Sequence, residues 1–243
     1  MPHRKTCKRY NNPADAHALT FSCFRRQPFL TKDRSRMWFV DAVNRARDKH
    51  RFHLWAYVIM PEHAHLLVWP TELKYDISDI LNSLKQSVAK RALIFVCREA
   101  PNFLPRMEDR QPGGKTHYRF WQRGGGYDRN VIEPYTVYQQ IEYIHNNPVR
   151  RGLCERAEDW YWSSAADYAG LRVGPLRLDR ESLPCSRHAW AWHTACGPSL
   201  FTHFQDMPAA GQLINLWTPC NAHCGFLWIF QNNWSLQIPS NIV

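Results

Sequence analysis

The stretch FHLWAYVIMPEHAHLLVW, residues 52–69, constrains the fold more than any other part of the chain. Two runs rich in β-branched and aromatic residues flank Pro61 and Glu62. A central strand does not tolerate that interruption and a tight turn does, so the segment predicts two strands paired as a hairpin. The second run carries His63 and His65. Residues two apart on a strand point to the same side with Cβ atoms ~6.5–7 Å apart, so the two imidazoles share one face while Ala64, Leu66 and Val68 share the other. One face belongs to a core. The other offers two nitrogen donors able to hold a divalent ion with open coordination positions, although the same pair also suits an ordinary solvated face.

Around this hairpin the remaining elements follow from periodicity. HALTFSCF, from His17 to Phe24, reads as a first strand, and residues 32–51 space Met37, Val40, Val43 and Ala46 along one helical face, with Thr31 or Asp33 available as a cap. Residues 76–96 repeat Ile77, Ile80, Leu81, Leu84 and Val88 behind a capping Asp76, which predicts a second helix. HYRFWQR (117–123) reads as a short strand, and the glycines of RGGGYDRN (123–130) as a turn. EPYTVYQQIEYIHNNP (133–148) reads as a third helix, with Pro134 at its start and Pro148 limiting its end. The order β, α, β, β, α, β, α predicts an α+β fold, a ferredoxin-like antiparallel sheet with helices on one face and the opposite face open.

Residues 1–15 form a basic leader, 16–170 the folded domain, and 171–243 a C-terminal extension that begins in GLRVGPLRLDRESLP. From His188 onward there is no Lys or Arg, while Trp190, Trp192, Trp217, Trp228 and Trp234 favour packing over disorder. Within it, Cys220, His223 and Cys224 have ligand types suited to zinc, and Cys185, His188, His193 or Cys196 are available to complete a site. The spacing matches no standard knuckle, which favours ordinary buried thiols.

Composition narrows the partners. Net charge is +10, and the first 60 residues hold thirteen Lys and Arg against four Asp, a field that favours a polyanion, nucleic acid first and an anionic membrane surface second. Eight cysteines at irregular intervals imply reduced thiols. No apolar stretch approaches the ~18 residues of a membrane span and no secretory leader is evident, so the expectation is a cytoplasmic, nucleoid-associated protein.

On the third helix, Val137, Ile141, Ile144 and Pro148 form the apolar stripe, which leaves Tyr143 turned away from the packed face with Gln139 and Asn147 one turn before and after it. Tyr135 and Tyr138 are nearby alternatives, and helical spacing does not choose among the three.

MPEHAHLLV, then YIHNNPVRRGL some eighty residues later, then DWYWSS, with WQRGGGYDRNVI (121–132) between them, resembles the single-tyrosine HUH transposases, in particular the REP-associated tyrosine transposases, over residues 16–170. The glycine run before Tyr127 is richer than that family usually shows. The resemblance implies that His63 and His65 hold Mg²⁺ or Mn²⁺ with Asn147 as a third, polar ligand, and that Tyr143 is the nucleophile. It implies cleavage of single-stranded DNA, presented as a palindromic hairpin, to a 5′-phosphotyrosine adduct and a free 3′-hydroxyl, by a monomer or homodimer. A phenol ionises near pH ~10, so such a site must stabilise charge on the phosphate and on the tyrosyl oxygen, and a cation serves both. Arg25, Arg26, Arg119, Arg123 and Arg129 are candidate phosphate contacts, and Trp121, Tyr127 or Tyr118 candidate stacking surfaces. Two other readings are a catalytically inactive hairpin-binding regulator of the same fold, and a zinc hydrolase. No aspartate-histidine pair follows the motif closely to support the second.

Overall fold

In a computed structural model of the chain the described residues are 9–185, so the zinc-suited CNAHC group and the tryptophans from Trp190 onward lie outside them. The elements are β1 (Ala16–Ser22), α1 (Asp33–His50), β2 (Phe52–Ile59), β3 (His63–Pro70), α2 (Ile77–Glu99), α3 (Leu104–Met107), β4 (Glu108–Arg110), β5 (Thr116–Tyr118), β6 (Tyr127–Val131), α4 (Pro134–His145), α5 (Asn147–Arg150) and α6 (Ala165–Tyr168). Four strands form one sheet in the order β2-β3-β1-β6, every neighbouring pair antiparallel. With α1 and α2 as crossovers, this is the ferredoxin-like arrangement that the order of elements predicts.

Side-chain alternation sets the layers. Phe21 pairs with Ala64 and Leu19 with Leu66, and the Phe21 ring meets Phe39 of α1 at 5.6 Å, so α1 and α2 cover the face on which these residues lie. On α2 the apolar face matches its sequence pattern, and Asp76 accepts from the Ser78 backbone N–H at 2.7 Å as the cap. On α1, Val40, Val43 and Ala46 are buried, but Met37 is 44% exposed. Its expected place is taken by Arg36, whose guanidinium lies over the rings of Trp160 and Trp162. A cation that stacks on indole satisfies burial in a way that apolar periodicity cannot register.

Two expectations are corrected. The fourth strand of the sheet is Tyr127–Val131, not residues 117–123; Thr116–Tyr118 pairs with Glu108–Arg110 in a separate two-stranded ribbon. β6 looks polar because its inward residue is Asp128, buried and joined to His17 Nδ1 at 2.8 Å. Nor is the second face of the sheet wholly open: α4 packs Val137, Ile141 and Ile144 on the side of β2 and β3 that carries the histidines. With both faces covered, β2 and β3 read as nearly continuous apolar runs.

Residues assigned by sequence to the leader and the extension take part in this fold. The Asn11 side chain accepts from the Ile77 backbone N–H, and Arg9 lies 3.6 Å from Asp128. The outer edge of β2 is closed by later chain. The Ile59 N–H donates to Trp162 O at 2.8 Å, Ser163 bridges to Val58, and the Leu54 N–H donates to the Asp179 carboxylate at 2.8 Å. His145, at the end of α4, is buried with Nε2 2.8 Å from Ser164 Oγ, whose oxygen also accepts from the Tyr57 backbone N–H.

Burial holds His145 neutral, lowering its pKa from 6.5 to about 4. The unfolded chain therefore binds a proton that the fold refuses between those values, so the stability contributed by neutral His145 is complete above pH 6.5 and is lost as pH falls towards 4. In denaturant titrations across that window, His145→Gln is expected to flatten the decline in unfolding free energy; an unchanged slope would contradict this origin.

Candidate active site

The site begins with the pairing of β1 and β3, which sets Thr20 across from His65 and Ser22 across from His63. His63 and His65 lie on the face away from α1 and α2, their rings edge to face with centroids 4.8 Å apart. Each Nδ1 has its own neighbour: Thr20 Oγ1 at 2.7 Å from His65, and Glu62 Oε1 at 3.1 Å from His63. Such contacts fix ring orientation and leave the opposite nitrogen for a ligand. Burial depresses both imidazoles. His65 falls to about 3, through burial first and the neighbouring His63 second, and His63 is lowered chiefly by burial against the opposing pull of Glu62. Both rings are therefore neutral near pH 7, the form that donates a lone pair.

From the other side comes α4. The Tyr143 ring meets the His65 ring edge to face at 5.7 Å, and Tyr143 is 42% exposed, so its hydroxyl-bearing side chain stands beside the pair and open to solvent. Of the three tyrosines, Tyr135 is exposed with no ring contact to either histidine among the described residues, and the Tyr138 hydroxyl donates to Pro184 O. The Arg150 guanidinium lies 5.1 Å from the Tyr143 ring centroid. Asn147 is buried one turn on. Its amide nitrogen donates to Tyr143 O at 2.7 Å, so its carbonyl oxygen is the atom available towards His65, on which it acts as a side-chain hydrogen-bond partner.

The donor set is thus two neutral imidazoles and one amide oxygen. Among the described residues no group of three or more His, Cys, Asp or Glu side chains is placed to hold a metal. Two nitrogens and a neutral oxygen leave positions open, and their borderline character suits Mn²⁺ somewhat better than Mg²⁺, which prefers oxygen alone.

The five arginines separate into two groups. Arg119 and Arg123 are both ion-paired with Asp109, and Arg123 also contacts Gln111. Arg25 and Arg26, both at φ 53°, are exposed at the end of β1, and Arg26 is near enough to His63 to depress it. Arg129 is exposed, with no ion pair among the described residues, and the pairing Ala18↔Arg129 and Thr20↔Tyr127 puts Arg129 and Tyr127 on the histidine face of the sheet. Trp121 is core rather than a stacking surface, its Nε1–H donating to Lys85 O at 3.0 Å; Tyr118 and Tyr127 are exposed.

Thr20, Glu62, Arg150 and Arg151 were not legible as site residues from periodicity. Arg151 Nη2 lies 2.9 Å from Glu62 Oε1. Their sequence signal is adjacency alone: Glu62 precedes His63, and the two arginines follow the NNP of the tyrosine helix.

The glycine run that departs from the family pattern is tightly held. The Lys85 ammonium donates to the carbonyls of Gln122 and Gly124, and burial, with Arg9 and Arg119 nearby, brings its pKa down to about 8. Gly126 has φ +77°, and a Cβ there would lie 2.3 Å from Thr20 O and 3.0 Å from Phe21 Cβ. Only glycine lets the loop close onto β1 beside the residue that contacts His65.

A ferredoxin-like sheet thus brings two histidines and a tyrosine from a separate helix to one site. Residues 14–101 match the profile of the family described as Transposase IS200 like. The chain is also 24% identical, over 142 residues covering 56% of it and 75% of the relative, to a Haemophilus influenzae protein named as a REP-associated tyrosine transposase. A solved REP-associated tyrosine transposase, bound in that structure to a REP hairpin, shares the fold at a TM-score of 0.53 and 19% identity, covering 72% of this chain and 93% of that one. Among the described residues no helix is long and apolar enough to cross a membrane.

Gly126→Ala is expected to cost ~2–4 kcal/mol by combining a left-handed backbone with a steric clash, whereas Gly124→Ala, with φ +86° and open space for a Cβ, is expected to cost about 1 kcal/mol. Denaturant unfolding of the two variants checks the difference; equal losses would mean that the contact with β1 is not what makes Gly126 necessary.

Proposed function

We propose that the chain is a tyrosine transposase that cleaves and rejoins single-stranded DNA folded as a hairpin, with Tyr143 as nucleophile and His63, His65 and Asn147 as the holders of Mg²⁺ or Mn²⁺. The observation that carries this reading is the 5.7 Å edge-to-face meeting of Tyr143 with His65, between side chains from a helix and a strand 78 positions apart in sequence. The approach sets a half-exposed tyrosine against a buried imidazole that is held by polar neighbours, Thr20 and Asn147, rather than by apolar packing.

In this reading Tyr143 Oη attacks the phosphorus of a scissile phosphodiester. The new Tyr–O–P bond replaces the P–O3′ bond, the phenolic proton is released, and the departing 3′-oxygen gains a proton to become a free hydroxyl. Return of that hydroxyl, or of another 3′-end, to the same phosphorus reverses the exchange, so joining needs no nucleotide triphosphate. A bound divalent cation would act as a Lewis acid on a non-bridging phosphate oxygen. The neutral imidazoles retain lone pairs at working pH, Asn147 supplies a carbonyl oxygen, and Arg150 stacks on the tyrosine ring and restricts its rotamers. Arg25, Arg26 and Arg129 are the candidates for backbone phosphates. Arg119 and Arg123 serve that role only after leaving Asp109, and Tyr127 offers a ring on the same face for an unpaired base.

Tyr143→Phe is expected to lower covalent capture of a labelled single-stranded hairpin by at least ~10³-fold while leaving hairpin binding nearly unchanged. Full adduct formation by this variant would move the nucleophile elsewhere, and binding without any adduct in the wild-type chain, with Mn²⁺ supplied, would favour a regulator that has lost catalysis. His63→Ala is expected to remove the dependence of adduct formation on added Mn²⁺ together with the adduct itself, read in a titration after chelation; an unaltered titration would reject the ligand role.

A further inference from the structure

Glu62 makes two contacts that the proposed chemistry does not use. Its Oε1 is 3.1 Å from His63 Nδ1 and 2.9 Å from Arg151 Nη2. The carboxylate stands on a rigid turn: the Cys23 N–H donates to Glu62 O, the Leu30 N–H to Pro61 O, and the Met60 N–H to His63 O, each at 2.8 Å. An ionised carboxylate only accepts hydrogen bonds, so the proton in the contact with His63 belongs to the imidazole. A neutral imidazole has one proton, and placing it on Nδ1 leaves the lone pair on Nε2.

We propose that Glu62, fixed by Arg151, is a positioning residue that locks His63 in its Nδ1–H tautomer and so keeps Nε2 available as the donor to the divalent cation. This rests on the reading of His63 as a cation ligand. The Arg151 side chain is 55% exposed, and an ion pair so open to solvent adds little stability, so the purpose of the contact is orientation. Arg151 directly follows α5, in the chain that leaves the tyrosine helix. The same ion pair therefore ties the segment after Tyr143 to the turn that carries His63, and the two halves of the site are registered against each other by one carboxylate.

The test uses the full chain, freed of metal and labelled with ¹⁵N, with His63 resonances assigned by their loss in His63→Ala. Long-range ¹H–¹⁵N correlation above the imidazole range is expected to show the His63 proton on Nδ1 in the wild type and a shift towards the Nε2–H form in Glu62→Ala. Glu62→Gln, whose amide oxygen still accepts, is expected to restore the Nδ1–H form in part. Mn²⁺ titration followed by electron paramagnetic resonance, without DNA, is expected to show binding weakened ~10–100-fold in Glu62→Ala and less in Arg151→Met. A wild-type His63 protonated on Nε2, or a tautomer unmoved in Glu62→Ala, overturns the proposal. Weakened Mn²⁺ binding with the tautomer retained also overturns it, because Glu62 would then be a direct ligand. If His63→Ala and His65→Ala bind Mn²⁺ as tightly as the wild type, the cation reading itself fails, and the tautomer spectrum still judges the role of Glu62 independently.

Discussion

Everything at the site hangs from the period of two along β3. Ala64, Leu66 and Val68 are wholly buried against the helix layer, and that burial dictates which way His63 and His65 face. A slip of one residue in the β1–β3 register would carry the imidazoles into the core and lift three apolar side chains out of it. The apolar contacts that hold the sheet together therefore also aim the two imidazoles. The tyrosine is aimed in the same manner, since Val137, Ile141 and Ile144 lock the rotation of α4 and leave Tyr143 on the flank turned to His65.

Charge is arranged to complement this geometry. The histidines are kept neutral by burial, and the charged groups near them are mostly cationic: Arg26 and Arg151 act on His63, and Arg150 covers Tyr143. Glu62 is the acidic group among the residues that act on His63, and Arg151 already engages it. Such a neighbourhood favours a phosphate approaching from solvent, because positive groups ring the opening while the donors at its centre carry no charge. The open half of the same sheet face, with Thr20, Tyr127 and Arg129 along β1 and β6, continues that surface away from the tyrosine helix.

Much of this arrangement was legible in the residues. The hairpin at 52–69, the two crossover helices and the tyrosine helix follow from periodicity, because each has one face against the core and the apolar pattern records it. What escaped detection lies where burial is polar. Asp128 disguised β6 as a turn, since a carboxylate held by His17 does not resemble a core residue. Arg36 took the place expected for Met37 by stacking between two indoles. The second face was expected to be open because no single-helix pattern reveals that its stripe fits across strands distant in sequence. Within the site, the shared face of His63 and His65 was legible from strand alternation and Tyr143 was singled out only by the family resemblance, while the neighbours that orient them were not legible. Thr20, Glu62 and Arg151 join the site by cross-strand pairing and by a turn, relations that exist only after the chain has folded.

The closing of β2 by later chain has a consequence for assembly. An exposed strand edge is an invitation for another copy to add itself to the sheet, and here the invitation is withdrawn, with the amide hydrogens of Leu54 and Ile59 already spent on Asp179 and Trp162. Among the described residues, the other edge strand of the four-stranded sheet is β6, and its exposed residues are those that share the histidine face. A dimer built through β6 would set two histidine faces on one continuous ribbon.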